Sequence, residues 1–127
     1  MFNEVVLKYF TDMENVGRVK NSNAVGKAKH ENGDMINLYL KVEETGNIKD
    51  ASFKAFGSVG IIATGALLST LLKDKHIKSA VEITEEDLAS VFGEDFGERR
   101  YVFTLALEAL SLAIKNYYEK LESEDEE

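Results

Sequence analysis

His30, Glu31 and Asp34 form the densest group of potential metal ligands in the chain, within His30-Glu31-Asn32-Gly33-Asp34. An imidazole and a carboxylate flanking one turn could hold iron or zinc weakly, with water completing the shell. An exposed Asn-Gly turn displays the same residue types, so the group reads first as turn chemistry. Ser58, in Gly57-Ser58-Val59-Gly60, is the second place of interest. There an alternating strand gives way to helical spacing, and a helix start carries unpartnered N–H groups and a weakly positive end. Ser58 suits an N-cap, and the same spot suits an anion. No P-loop lysine follows at the required spacing, so a nucleotide phosphate is not expected.

Nucleophilic catalysis finds little material. The chain has two histidines, no cysteine and no recognisable nucleophile–base pair, so the reading is that it is not an enzyme. His76 lies in the charged turn Lys73-Asp74-Lys75-His76 and is expected to be solvated. Arg99-Arg100 opens the last helix, where cations oppose the helix dipole. A partner contact or a surface ion pair would account for that placement.

These side chains must be positioned by one domain of 127 residues, 44% hydrophobic and 30% charged, a globular balance. The boundaries read as a domain over 1–121 and an acidic tail over 122–127. The net charge is -8, but five acids fall in the last six residues. Without them, 18 acidic residues face 15 basic ones, a body charge of -3. The tail is expected to be solvated and frayed. The body shows no basic stripe along the sequence, which argues against nucleic acid. The lack of cysteine excludes disulfides, thiolate nucleophiles and cysteinyl metal sites within the chain. The N-terminal MFNEVVLKYF has no signal-peptide pattern, and the apolar run from Val59 to Leu72 is too short for a bilayer. No membrane is expected, and the location reads as cytoplasmic.

Phe2, Val5, Val6, Tyr9 and Phe10 recur at helical spacing behind Asn3, a plausible N-cap. The polar stretch from Asp12 to Asn23 is expected to wrap the surface, and a first strand is expected between Val19 and Lys29. Ile36, Leu38, Leu40 and Val42 alternate with polar residues in a second strand. Ala51, Phe53 and Ala55 alternate after the Glu44-Thr45-Gly46-Asn47 turn, which makes a hairpin. A helix over Val59 to Leu72 is apolar nearly all round and should be buried. Gly60 and Gly65 within it cost about 1 kcal/mol each against Ala, so close packing is the expected compensation. Thr84 to Asp87 carries a capping-box signature ahead of Leu88, Val91 and Phe92. A loop with Gly93 and Gly97 leads to a last helix from Glu98 to about Leu121. The fold class is α+β: a three-stranded antiparallel sheet with packed helices.

The last helix has two apolar stripes. Val102, Leu105, Ala106, Ala109, Leu112 and Ala113 form the one expected on the sheet. Phe103, Leu107, Leu110, Ile114, Tyr117 and Leu121 form the other. Cover for Phe103, Leu107, Leu110 and Ile114 is expected from the Thr84–Phe92 segment, with a homodimer as the alternative.

The order of these signals resembles the NifU/IscU-type iron–sulfur cluster assembly scaffold. The likeness runs through Asn15-Val16-Gly17, Gly33-Asp34, the stretch from Ile48 to Gly57, and Leu105-Ala106 with Ala109, Ala113, Ile114 and Tyr117. It covers roughly residues 6 to 120 and implies the α+β fold read above. It also implies three converging loops that hold a nascent cluster through three cysteines beside an aspartate. By position those cysteines correspond to Asn32, Ser58 and Val102, and the aspartate to Asp34. The family histidine before the third cysteine corresponds to Tyr101, and the proline before the first to His30. The chaperone-docking segment has no counterpart, because the chain has no proline.

Thiolates hold cluster iron, and an amide, a hydroxyl and an isopropyl group cannot replace them. The resemblance therefore implies a scaffold fold with its cluster ligands lost, and no cofactor. Three readings of function follow. One is a role inherited from iron–sulfur assembly, with weak iron binding or contacts to a cysteine desulfurase and other assembly proteins. Another is a non-metal interaction or regulatory module on the same fold. The third is a small-molecule binder that reuses the vacated pocket.

Overall fold

A computed structural model describes residues 2–93 and 96–125. Glu94 and Asp95 of the expected Gly93–Gly97 loop, and Glu126 and Glu127 of the expected tail, lie outside the described residues. In chain order the elements are α1 (Glu4–Thr11), β1 (Ala24–Lys29), β2 (Met35–Val42), β3 (Ile48–Phe56), α2 (Val59–Leu72), α3 (Ile77–Ala80), α4 (Glu85–Phe92), a 3-10 turn (Gly97–Arg100) and α5 (Tyr101–Asp125). The sheet order is β1-β2-β3, antiparallel throughout, as the alternation predicts.

Register explains why one sheet face is the core. Ala28, Ile36 and Ala55 stand in one row; Gly26, Leu38 and Phe53 in the next; Ala24, Leu40 and Ala51 in the third. The β1 members are the small ones, and α5 lies directly over them. A Cβ on Gly26 would strike the backbone of Ala109 and Ala113, so glycine is what permits that crossing. Ala106, Ala109 and Ala113 are fully buried there, as the alanine-rich stripe requires. Leu112, assigned to the same stripe, is instead 38% exposed. It falls at the edge of the stripe, where 3.6-residue periodicity has carried it off the sheet.

Helix α2 packs against β3, where a Cβ on Gly65 would meet the Phe53 ring, so close approach does compensate the glycine. Its buried residues run round the helix because α1, β3 and α5 all contact it. Asn3 caps α1 by accepting from the Val6 amide at 3.0 Å, and Thr84 and Asp87 complete the capping box of α4. Phe103 is fully buried against Phe92 and Phe96, with ring centroids 6.1 and 4.7 Å away. The chain itself thus covers Phe103 through α4 and Phe96, while Leu107 stays half-buried and lines a cleft with Leu110, Ile114, Val81 and Ile83, ahead of α4. Leu121, at the far end of that stripe, is exposed.

Several expectations are corrected. The last helix begins with a 3-10 turn and reaches Asp125, past the end at about Leu121 that the sequence suggests. Backbone hydrogen bonds continue through Glu122 and Glu124 because good helix formers propagate an existing helix at little cost. Their side chains are exposed, as expected of the tail. The stretch after α1 does more than wrap the surface. Phe53 donates its amide to the Asn15 carbonyl, and Gly17 donates to the Phe53 carbonyl, both at 2.9 Å. These bonds close part of the open edge of β3, a need that polarity along the stretch does not reveal.

His76 is not freely solvated. It caps α3, its Nε2 lies 2.9 Å from the Thr45 carbonyl, and its ring packs on Gly46. The short helix α3 was not anticipated. The outer sheet face gathers Lys27, Lys29 and Lys54 from β1 and β3, a cationic patch that linear inspection does not find. No helix among the described residues is long and apolar enough to cross a membrane.

Candidate functional site

The turn before β2, the β3–α2 junction and the start of α5 meet at Asp34. Gly33 has φ of 102° and Gly57 has φ of 125°, so both turns use backbone space that favours glycine. A Cβ on Gly57 would also collide with the Asp34 carboxylate. Those turns bring Asp34, 6% exposed, beneath the N-terminus of α2.

Asp34 is the hub of a closed hydrogen-bond network. Its Oδ1 accepts from the Ser58 amide at 3.1 Å. Its Oδ2 accepts from the Ser58 hydroxyl and from the Tyr101 hydroxyl, each at 2.7 Å. Asn32 completes the ring: its Nδ2 donates to Tyr101 Oη at 2.9 Å, while its Oδ1 accepts from the Asp34 amide at 2.9 Å. Ser58 also accepts from the Ile61 amide at 3.3 Å, which confirms its N-cap role. Burial works to raise the Asp34 carboxyl. The Tyr101 and Ser58 hydroxyls, the Ser58 amide and the charge of His30 outweigh it and hold the group below its ordinary value.

His30 stacks on the Tyr101 ring with centroids 4.4 Å apart, and its Nδ1 accepts from the Asn32 amide at 3.2 Å. The structure thus brings His30 and Asp34 to one turn, but the carboxylate is already engaged by three donors. Among the described residues, no group of three or more His, Cys, Asp or Glu side chains could hold a metal ion. Val102, the next residue after Tyr101, is 1% exposed and faces Gly60, whose Cβ would lie 3.4 Å from Val102 Cγ1. Asn32, Asp34 and Ser58 are therefore brought together by hydrogen bonds, Asn32 through the Asp34 amide and Tyr101, while Val102 is buried against Gly60, two residues along the chain from Ser58.

Tyr101 is the residue whose role the sequence understated. Its position marked it as a replacement for a family histidine, and three-dimensional contact makes it the second anchor of Asp34. Arg100 pairs with Glu86 at 2.6 Å and Glu85 at 3.8 Å, and Arg99 lies over the Phe2 ring at 4.9 Å. The arginine pair thus joins α4 and the N-terminus to the start of α5.

The α+β fold thus gathers Asp34, Asn32, Ser58 and Tyr101 at one end of the sheet, and the first three of these are positions that the resemblance assigns to a cluster site. Residues 1–124 match the NifU-like N-terminal domain, and the chain belongs to that family. An iron–sulfur cluster assembly scaffold protein IscU 1 from Archaeoglobus fulgidus is 31% identical over 94% of this chain and 78% of its own length. The corresponding IscU of Aquifex aeolicus is 34% identical over 94% of this chain and 77% of its own. Among solved structures, the N-terminal domain of a nitrogen-fixing NifU-like protein from Brucella abortus superposes with a TM-score of 0.74. It covers 93% of this chain and 94% of that one at 17% identity, which supports the fold. Within this family the present chain is a member without cysteine, and its site cannot ligate a cluster through thiolates.

Proposed function

We propose that this protein acts beside the iron–sulfur assembly machinery as a scaffold-shaped binding module, not as an enzyme, and works in the cytoplasm. The observation that supports this reading is the network around Asp34. Each position that would supply a thiolate carries another group, and Asn32 and Ser58 are held by hydrogen bonds rather than left open. Such a site keeps the scaffold's shape while refusing its cargo. A cysteine desulfurase is the partner class this reading names, because a scaffold-shaped surface could dock there without receiving sulfur.

The test has two arms. Anaerobic reconstitution with iron and sulfide is expected to leave the protein colourless after desalting. Titration into a cysteine desulfurase from the same cell is expected to show saturable binding, measured by calorimetry. A stoichiometric cluster in the first arm overturns the reading of the site. Absence of binding in the second overturns the choice of partner class.

A further inference from the structure

The two edges of the sheet end differently. Asn15 and Gly17 bond to Phe53 on β3, and Asp74 and Lys75 bond to Ile48, so that edge is largely closed. On β1 the Val25 amide turns away from β2 and donates to Asn116 Oδ1 on α5 at 2.9 Å. Backbone direction alternates along a strand, so Lys27 and Lys29 also aim their N–H and C=O groups away from β2. Those groups and the Val25 carbonyl have no hydrogen-bond partner among the described residues. An unpaired edge of this kind is a template for one more strand.

One flank of α5 overhangs this edge. A Cβ on Gly26 would strike the backbone of Ala109 and Ala113, so the helix crosses directly over β1. Tyr101, Leu105, Glu108, Leu112 and Asn116 recur every three or four residues and share one side of the helix. At one end of that side Asn116 meets Val25. At the other, Tyr101, Leu105 and Glu108 line a cleft of about 350 Å³ with Lys29 and Glu31. Leu112 stands between the two ends, 38% exposed.

We infer that an extended segment of another protein adds to β1 as a fourth strand, beneath this flank of α5. In antiparallel pairing, its residue opposite Lys27 shares the outer face with Lys27, Asn37 and Lys54 and is acidic. That row contains no carboxylate. The neighbours of that residue stand opposite Gly26 and Ala28, turn toward Leu112 and are apolar. Glu31 and Glu108 accompany Lys29, so no acid is assigned opposite Lys29. A second copy of β1 fits poorly. Centred on Lys27 it sets that lysine against itself, and centred on Ala28 it sets Lys27 against Lys29; like charges directly opposite destabilise a pair. Edge and flank take such a segment whether or not a cysteine desulfurase carries it.

The probe is a synthetic peptide of about seven residues, an ordinary strand length. It has valine at alternate positions, glutamate at the centre and threonine at the other two. Two further versions carry N-methyl groups, one on the glutamate and threonine amides, the other on the valine amides. The first set of amides aims at β1 and the second aims at solvent. Nuclear magnetic resonance of the full chain is expected to show saturable shifts at the Lys27 and Lys29 amides with the plain and valine-methylated peptides. The version methylated on glutamate and threonine has the same charge and is expected to bind about tenfold more weakly. Lys27→Pro removes an edge donor where proline is tolerated, and Leu112→Glu removes the apolar flank. Each is expected to weaken binding of the plain peptide about tenfold. Circular dichroism checks that both variants are folded; should Lys27→Pro not fold, Leu112→Glu and the methylated peptides decide. Edge amides that stay unmoved, or equal binding by the two methylated versions, overturn the inference. So does a wild type that sediments as a dimer and becomes monomeric in Lys27→Pro, since a second copy then fills the edge.

Discussion

Ser58 and Asp34 meet twice: the serine hydroxyl donates to Oδ2 at 2.7 Å and the serine amide to Oδ1 at 3.1 Å. One residue thereby joins the β3–α2 junction to the turn before β2 and starts α2 with its own N-cap. The carboxylate sits at the positive end of a helix, a favourable placement for an anion.

This contact makes stability depend on pH in one direction. The folded pKa of Asp34 is lowered, so its stabilisation is present above the unfolded value and is lost as pH falls through the folded one. Asp34→Asn is expected to cost about 1–3 kcal/mol at neutral pH, because donors in the network lose a charged acceptor. It should also flatten the acid limb of the stability curve. Urea unfolding of both proteins at pH 7 and at about pH 3 measures this, and parallel losses on acidification would remove Asp34 from the account.

Tyr101→Phe keeps the ring on His30 and deletes the hydroxyl between Asn32 and Asp34. A loss of about 0.5–1.5 kcal/mol is expected. The Asp34 carboxyl should move upward, since a lowering contact is gone. Carbon-detected NMR titration of the Asp34 side chain reads the shift; an unchanged titration would mean the hydroxyl contact is energetically idle.

Asn32→Cys, Ser58→Cys and Val102→Cys together restore three thiols at the convergent positions. The variant is expected to hold a cluster after anaerobic reconstitution, seen as visible colour that survives desalting, while wild type does not. Binding should be weak, because the Val102 side chain lies buried toward Gly60 and the third thiolate must turn outward. A folded, colourless triple variant would refute the positional match.

Gly26→Ala tests how closely α5 crosses the sheet. A methyl group there meets helix backbone rather than a movable side chain. The expected cost is about 1–3 kcal/mol, as for overpacking elsewhere. Chemical denaturation decides it, and a neutral or stabilised variant would show that α5 has room to lift.

Much of this architecture was legible from local pattern. Alternation at Ile36–Val42 and Ala51–Ala55 placed two strands, because a half-buried strand must repeat every second residue. Asn3, Ser58 and Thr84 were readable as caps, because a helix start needs an acceptor within a few residues. Absence of cysteine alone excluded a thiolate-held cluster, whatever the fold. His76 and the Asn15–Gly17 stretch were misread. Their partners, Thr45 and Phe53, lie 31 or more residues away in the chain, where periodicity carries no information.

Composition and spacing by themselves determined the types of the three strands and the longer helices, though not α3 or the 3-10 turn, and the chemistry the site lacks. Each of those follows from bonding rules that act over a few residues. Only the tertiary structure decided that Tyr101 reaches Asp34 and that Lys27 and Lys54 share a row. It also decided that Gly26 lies beneath α5. Those relationships join segments 27 to 87 positions apart. They are set by how sheet register and helix crossing close together around one core, which no local pattern contains.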